Sequence, residues 1–224
     1  MSSLIAACAL FLGLHWIVAG SPLRGVIVAR TGEKPFKIGF SLAVTVSLVW
    51  MIYAYAHAPY LVTWGTASAL KPLALVLVAF AFVLFILGTL TRNLNSLDQY
   101  TAEQVEIRGI LRITRNPGLI GLGLWGLAHF MVRGDWASHL FFGVYAFQGI
   151  IAPYNMERKY RRRFGQAWET LASQSSHLPF VAILTGRNRL VPSEINWTLF
   201  AISLAIYAIV LAFHAAWFGV SPFM

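Results

Sequence analysis

Long apolar runs separated by short polar stretches dominate the pattern along this chain. A helix needs roughly 20 mostly apolar residues to cross the hydrocarbon core of a bilayer. The runs that approach this length lie at residues 4–20, 38–57, 72–90, 117–132, 136–153 and 197–218. The pattern predicts an all-α fold, a polytopic membrane helix bundle of about six transmembrane helices. We expect these helices to form a single domain over residues 1–224.

The composition supports lipid as the solvent of this fold. Apolar residues make up 58% of the chain and charged residues only 11%, whereas an ordinary soluble domain is about 25% charged. A single soluble core could not bury so much apolar surface. The net charge of +9 is carried mainly by the polar stretches between the runs, which argues against a nucleic-acid partner.

Basic residues are concentrated in alternate loops. Loops 21–37, 91–116 and 154–196 carry most of the Lys and Arg, while the other loops hold only Lys71 and Arg133. Basic loops of membrane proteins stay in the cytoplasm. The sequence therefore predicts a multi-pass protein of the bacterial cytoplasmic (inner) membrane with both termini outside.

The last basic loop contains an apolar periodicity of its own. Apolar residues recur every three or four positions between Arg and Lys: Met156, Tyr160, Phe164, Ala167, Trp168 and Leu171. This spacing predicts an amphipathic helix on the cytoplasmic membrane surface, with its cations facing anionic headgroups.

The six histidines differ in their expected depth. His57 and His214 end their runs at the outer interface, where a solvated or hydrogen-bonded imidazole is common, and His139 also lies near the outer surface. His177 belongs to the last cytoplasmic loop and is expected to be solvated. None of these four positions requires a functional explanation.

His15 and His129 are expected near the middle of the bilayer. His15 lies nine residues before Arg24, or roughly 13 Å at 1.5 Å per residue, and His129 lies twelve residues after Pro117, or roughly 18 Å. Ionisable residues inside spans are costly and therefore indicate function. Two neutral imidazoles at matching depth can ligate a metal or both faces of a haem iron. Alternatively, each imidazole bonds a carbonyl group of a neighbouring helix.

Glycines line one side of the fourth run before His129. These are Gly118, Gly121, Gly123 and Gly126. Small residues let a neighbouring helix approach closely, and they would equally let a flat macrocycle lie against the backbone. Cys8 shares a helix face with His15 and is either an apolar filler or an accessory ligand.

The segment from Arg112 to His129, RITRNPGLIGLGLWGLAH, resembles the signature of the NnrU family of membrane proteins. That signature has Arg-His-Pro, a glycine and Trp-x-x-Ala-His, followed by a Gly-Asp or Gly-Asn turn. Here the turn is Gly134-Asp135. His15, Leu23-Arg24 and Gly32-Glu33 resemble the first part of the family pattern, and segment 178–190 is similar to the zeta-carotene isomerase branch.

The resemblance implies a b-type haem whose iron is held by His15 and His129. The resemblance further implies that Gly126, Arg24 and Arg115 contribute to binding the cofactor. It also implies cis–trans isomerisation of a carotenoid double bond, an apolar carotenoid substrate reached through the lipid bilayer, and an electron donor for the iron. Two positions depart from the expected pattern, because the isomerase branch has a cysteine at the place of Gly126 and the family has a histidine at the place of Asn116.

Two other functions remain open. Members of the family are linked to denitrification and nitric oxide metabolism, which would make this chain a haem-containing or accessory membrane protein. Arg115-x-Pro117, Glu157 and Arg163-Phe164-Gly165 also resemble membrane methyltransferases that use S-adenosylmethionine.

Overall fold

The computed structural model describes residues 1–91 and 106–223. Within these ranges the chain is helical, with one isolated β-bridge between Val62 and Asp135. The helices are α1 (Ser2–Gly13), α2 (Leu23–Thr31), α3 (Glu33–Ala56), α4 (Lys71–Leu90), α5 (Ile110–Ile113), α6 (Pro117–Val132), α7 (Trp136–Phe164), α8 (Gln166–Ser173), α9 (Val181–Leu184) and α10 (Trp197–Phe218). The all-α fold class is confirmed.

Four helical stretches are long and apolar enough to cross a membrane. They are Ser2–Ala19, Glu33–Ala56, Ser68–Leu90 and Trp197–Phe218. Helix α6 is apolar but only 16 residues long, so it measures about 24 Å at 1.5 Å per residue. Several apolar helices of the predicted kind are therefore present.

Polar residues extend some helices beyond the apolar runs. Helix α3 begins at Glu33 instead of residue 38, because the Glu33 carboxylate accepts a hydrogen bond from Arg24 at 2.5 Å and lies 3.5 Å from the Lys37 ammonium. Helix α7 passes through Pro153 and ends only at Phe164. The predicted amphipathic stretch is consequently divided between the end of α7 and α8, with Gly165 at φ +51° between them.

The described residues form two compact units, of which the first comprises residues 1–67 and 129–144. Helices α1 and α3 pack together there, with Leu4 and Met51 fully buried. The extended segment after α3 bonds to the turn before α7, since the Gly134 carbonyl accepts hydrogen bonds from the amides of Thr63 (2.8 Å) and Gly65 (3.1 Å).

The second unit comprises residues 68–128 and 145–224 and is built on close contacts between helix backbones. A Cβ atom on Gly121 of α6 would lie 2.6 Å from the Ala81 carbonyl oxygen and 2.7 Å from the Phe85 amide nitrogen, both in α4. A Cβ atom on Gly123 would lie 2.9 Å from Cγ1 of Ile150 in α7. The glycines at these positions are therefore explained by helix packing.

We expect Gly121→Ala to lower the free energy of unfolding by about 1–3 kcal/mol, because the new methyl group meets backbone atoms that cannot rotate away. Gly39→Ala in α3 is the matched control, since no atom lies within 4 Å of the added Cβ and alanine favours a helix by about 1 kcal/mol. Thermal unfolding of both variants in detergent checks this. Equal transition temperatures for the two variants would contradict the packing explanation.

Candidate functional site

His15 lies in a π-helical segment, Leu14–Ala19, that continues α1. Its Nδ1 donates a hydrogen bond to the carbonyl oxygen of Phe11 at 2.8 Å, and its ring has an edge contact with Phe40 at 5.6 Å between centroids. A proton on Nδ1 leaves the lone pair on Nε2, which is the tautomer that binds a metal through Nε2. Short π-helical segments within α-helices are frequent at functional sites.

His129 lies near the end of α6 and stacks on Phe142 of α7, with 4.6 Å between ring centroids and 20° between planes. Both His129 and His15 are partly buried. Both predicted ligands belong to the first unit. They lie in different helical segments of this unit, and their role as a ligand pair stays a prediction.

The other predicted cofactor-binding positions are distributed over both units. Gly126 is buried in α6, one turn before His129. Arg24 belongs to the first unit, where it pairs with Glu33 and lies over the ring of Phe36 at 5.3 Å. Arg115 belongs to the second unit.

His57 and His214 each have a hydrogen bond to a backbone carbonyl close by in the sequence. The Nδ1 of His57 donates to the Tyr53 carbonyl at 2.8 Å, and the Nδ1 of His214 donates to the Val220 carbonyl at 2.7 Å. His57 caps the C-terminus of α3, and His214 lies four residues before the end of α10. His57 therefore repeats the local hydrogen bond of His15 at the end of a helix.

His139 is more buried than the sequence suggested. Its ring lies 4.1 Å from the Trp64 ring and 4.6 Å from the Phe130 ring, measured between centroids. Its Nε2 atom is buried without a hydrogen-bond partner. The segment that supplies Trp64 lies far from His139 in the sequence, so periodicity alone could not reveal this aromatic enclosure.

His177 is buried, so the prediction that it is solvated is wrong. Its Nε2 donates to the Ile150 carbonyl at 2.6 Å, its backbone carbonyl accepts from the Thr114 hydroxyl at 2.6 Å, and its ring contacts Tyr154. Burial lowers the pKa of His177, while the hydrogen bond to Ile150 and the charge of Glu157 oppose this change. The imidazole is therefore neutral at pH 7, with its lone pair on Nδ1.

Arg115 lies beside His177 in the same buried cluster. Its Nη1 is 3.3 Å from the Glu157 carboxylate, and its guanidinium lies 5.8 Å from the centre of the Trp168 ring. The Arg115 amide donates to the Ser176 carbonyl at 2.9 Å. Burial lowers the pKa of the Arg115 guanidinium, and the carboxylate of Glu157 opposes the change. We call Arg115, Asn116, Glu157, Trp168 and His177 the Arg115 cluster.

Across residues 1–91 and 106–223, no group of three or more His, Cys, Asp and Glu side chains could hold a bare metal ion. A haem iron takes four ligands from the macrocycle and needs at most two from the protein. The histidine pair of the first unit is therefore compatible with a haem but not with a multi-ligand protein site. The tautomer of His15 fits this group.

Comparisons with known proteins point to the same family as the motifs. The chain is 37% identical to the 15-cis-zeta-carotene isomerase, chloroplastic, of Zea mays over 87 residues, which are 37% of this chain and 22% of that protein. It is 35% identical to the protein of the same name from Arabidopsis thaliana over 80 residues, which are 35% of this chain and 22% of that protein. The match thus spans about a fifth of the length of either relative.

No solved structure matches the chain. The NnrU protein family matches residues 3–222, which is nearly the whole chain. The chain belongs to the NnrU family.

Proposed function

We propose that this chain is a haem-b-binding integral membrane protein that isomerises a cis double bond of a carotenoid. The observation that carries the proposal is the similarity to two zeta-carotene isomerases within the NnrU family. The position and tautomer of His15 support the cofactor. The proposed ligands are His15 and His129.

The protein's part in this proposal is to hold and enclose the cofactor. The Phe11 carbonyl fixes the His15 ring with Nε2 available, and Phe142 stacks against the His129 ring. A bound haem would supply a reversible one-electron donor that can lower the barrier to rotation about a conjugated double bond. Because Gly126 stands where the isomerase branch has a cysteine, no thiolate from this position replaces a histidine at the iron.

The proposed substrate is apolar and reaches the protein through lipid. Large apolar side chains are exposed along α3 and α10, which suits helices that face hydrocarbon: Val46, Val49, Ile52, Ile202, Ile206 and Ile209. A polyene partitions into that hydrocarbon and needs no polar entry path. An electron donor is the second partner that the proposal requires.

We also propose six spans in the bacterial cytoplasmic membrane, with α6 and the apolar half of α7 added to the four long apolar helices. The basic residues at the end of α7 would then lie on the cytoplasmic face, and both termini outside. Helix α8 buries its apolar residues Trp168 and Leu171 in the core of the second unit, so its place at the membrane surface is a part of this proposal that rests on the sequence pattern.

Reporter fusions test this topology. A reporter after Val220 should report the outer side, and a reporter inserted at Gly165 should report the cytoplasm, because an odd number of spans separates the two positions. Reports from the same side would show that α10 does not cross the membrane and that the span count is wrong.

We expect His15→Ala and His129→Ala each to abolish the low-spin absorption spectrum of bound haem, because each removes one proposed axial ligand. His57→Ala is the matched control, since His57 makes the same Nδ1–carbonyl hydrogen bond at 2.8 Å but ends its helix. Spectra of the purified variants decide the outcome. An unchanged low-spin spectrum in either of the first two variants would assign the iron to other ligands.

The activity itself is tested in a bacterial strain that accumulates a central-cis zeta-carotene and is grown in darkness. Expression of the chain should convert the pigment to a more trans isomer without net oxidation, as resolved by chromatography. His129→Ala should reduce the conversion at least tenfold, roughly the loss that follows from weakening a metal site. Darkness is essential because light alone isomerises the central bond.

Haem-loaded protein that leaves the isomer profile unchanged in the dark would contradict the isomerase proposal. It would favour the denitrification or nitric oxide role, in which the haem needs no carotenoid. If the His129→Ala variant lacks haem and still converts the pigment, this result would instead contradict the role of the cofactor.

A further inference from the structure

Five buried side-chain atoms of the Arg115 cluster make no hydrogen bond, although one of them, Oε1 of Glu157, has the 3.3 Å ion-pair contact with Nη1 of Arg115. They are Nε of Arg115, Nδ2 of Asn116, Oε1 of Glu157, Nε1 of Trp168 and Nδ1 of His177. Buried polar atoms in proteins are nearly always bonded to protein, water or ligand, and an unpartnered one requires an explanation. Five such atoms on five neighbouring residues indicate a place where a further polar group binds.

The residues of this cluster lie close together in the second unit. Arg115 contacts both Glu157 and Trp168, and its backbone amide bonds to Ser176, the neighbour of His177. Arg115, Asn116, Trp168 and His177 are each at least nine-tenths buried. Glu157 retains 21% of its side-chain exposure and Tyr154 is 47% exposed, so the cluster opens to the surface on this side.

Arg115 is bound less tightly than Arg112, a half-buried arginine of the same unit. Arg112 donates two hydrogen bonds to Glu194, at 2.6 and 2.8 Å, and a third to the side-chain oxygen of Asn188 at 2.6 Å. The contacts of the Arg115 guanidinium are one 3.3 Å approach to Glu157 and one 3.3 Å hydrogen bond to the Ser175 carbonyl, both longer than the 2.7–2.9 Å typical of charge-assisted hydrogen bonds. Arg112 is thus saturated by structural bonds, whereas Arg115 and Glu157 can both bind another group.

The unpartnered atoms define the chemistry of that group. Three are donors, the N–H groups of Arg115, Asn116 and Trp168, and they suit the oxygens of an anion. Two are acceptors, the Glu157 carboxylate and the Nδ1 lone pair of His177, and they suit a group with N–H bonds. The charges of Arg115 and Glu157 compensate each other, which favours a ligand that is itself zwitterionic.

The position in the chain indicates that this ligand belongs to a lipid. Arg115 and Asn116 immediately precede the apolar helix α6. Glu157 lies in α7 four residues after Pro153, where the apolar half of this helix ends. Both helices therefore change from apolar to polar at the cluster, at the level where headgroups lie. Ile110 and Ile113 pack in the same apolar core as Trp168 and line a groove of about 220 Å³ that could take part of an acyl chain.

We propose that the Arg115 cluster binds the headgroup of an ethanolamine phospholipid, with its phosphate at Arg115, Asn116 and Trp168 and its ammonium at Glu157 and His177. The phosphodiester oxygens accept from the three unpartnered donors. The ammonium donates to the two unpartnered acceptors. The proposal uses neither of the proposed iron ligands, His15 and His129, and it does not depend on the proposed function.

Native mass spectrometry of the detergent-purified full chain tests the proposal with four probes. These are dioctanoyl phosphatidylethanolamine, the matching choline and glycerol lipids, and soluble phosphoethanolamine. The ethanolamine lipid should bind about tenfold more tightly than the choline lipid, because choline has no N–H group for Glu157 and His177. Haem absorption, recorded on the same samples, should not change.

Two variants assign the contacts. Trp168→Phe removes one N–H donor and should weaken binding of the ethanolamine lipid about tenfold. Trp197→Phe is its matched control, because Trp197 is 54% exposed and its N–H donates to the Pro192 carbonyl. Glu157→Gln should abolish the preference for the ethanolamine lipid over the choline lipid. Because the Glu157 side chain is partly exposed, this variant keeps the test informative if Trp168→Phe does not fold.

Equal binding of the three lipids, with no effect of either cluster variant, would overturn the proposal. Binding of phosphoethanolamine without binding of the lipid would overturn the assignment to a lipid. Failure of all four probes to bind would likewise overturn it. The haem spectrum distinguishes these outcomes from a failure of the proposed function.

Discussion

The second unit depends on the close approach of helix backbones at glycines. Inside hydrocarbon there is no hydrophobic force between helices, so packing of small residues has to bring them together. Gly121 of α6 contacts the backbone of α4, and Gly123 contacts Gly149 of α7. These contacts fix α6 between its two neighbours, and the cluster around Arg115 then forms at the end where α6 and α7 become polar.

Much of this arrangement could be predicted from the sequence. The predicted bounds of α6 and α10 agree with the structure, because Pro117 begins one helix and Asn196 caps the other by accepting from the Leu199 amide. Both are local signals. The start of α3 could not be found from apolar runs, since its first turn is held by charged residues that pair with each other.

The Arg115 cluster could not be predicted, because its contacts join positions far apart in the sequence. Nothing in the local pattern around His177 indicates that its carbonyl accepts from Thr114 or that its ring bonds to Ile150. His15 and His129 were found because depth along a helix can be read from residue counts. A buried polar loop has no comparable periodicity, so it becomes visible only in three dimensions.

The histidine pair of the first unit and its proposed haem are the central claim. The most direct test is the absorption spectrum of the detergent-purified chain, recorded oxidised and then reduced with dithionite. A Soret band that shifts on reduction, with sharp α and β bands of a low-spin haem, is the result the account predicts. The absence of these bands from protein that is purified from haem-sufficient cells and then supplied with haem would contradict the haem proposal.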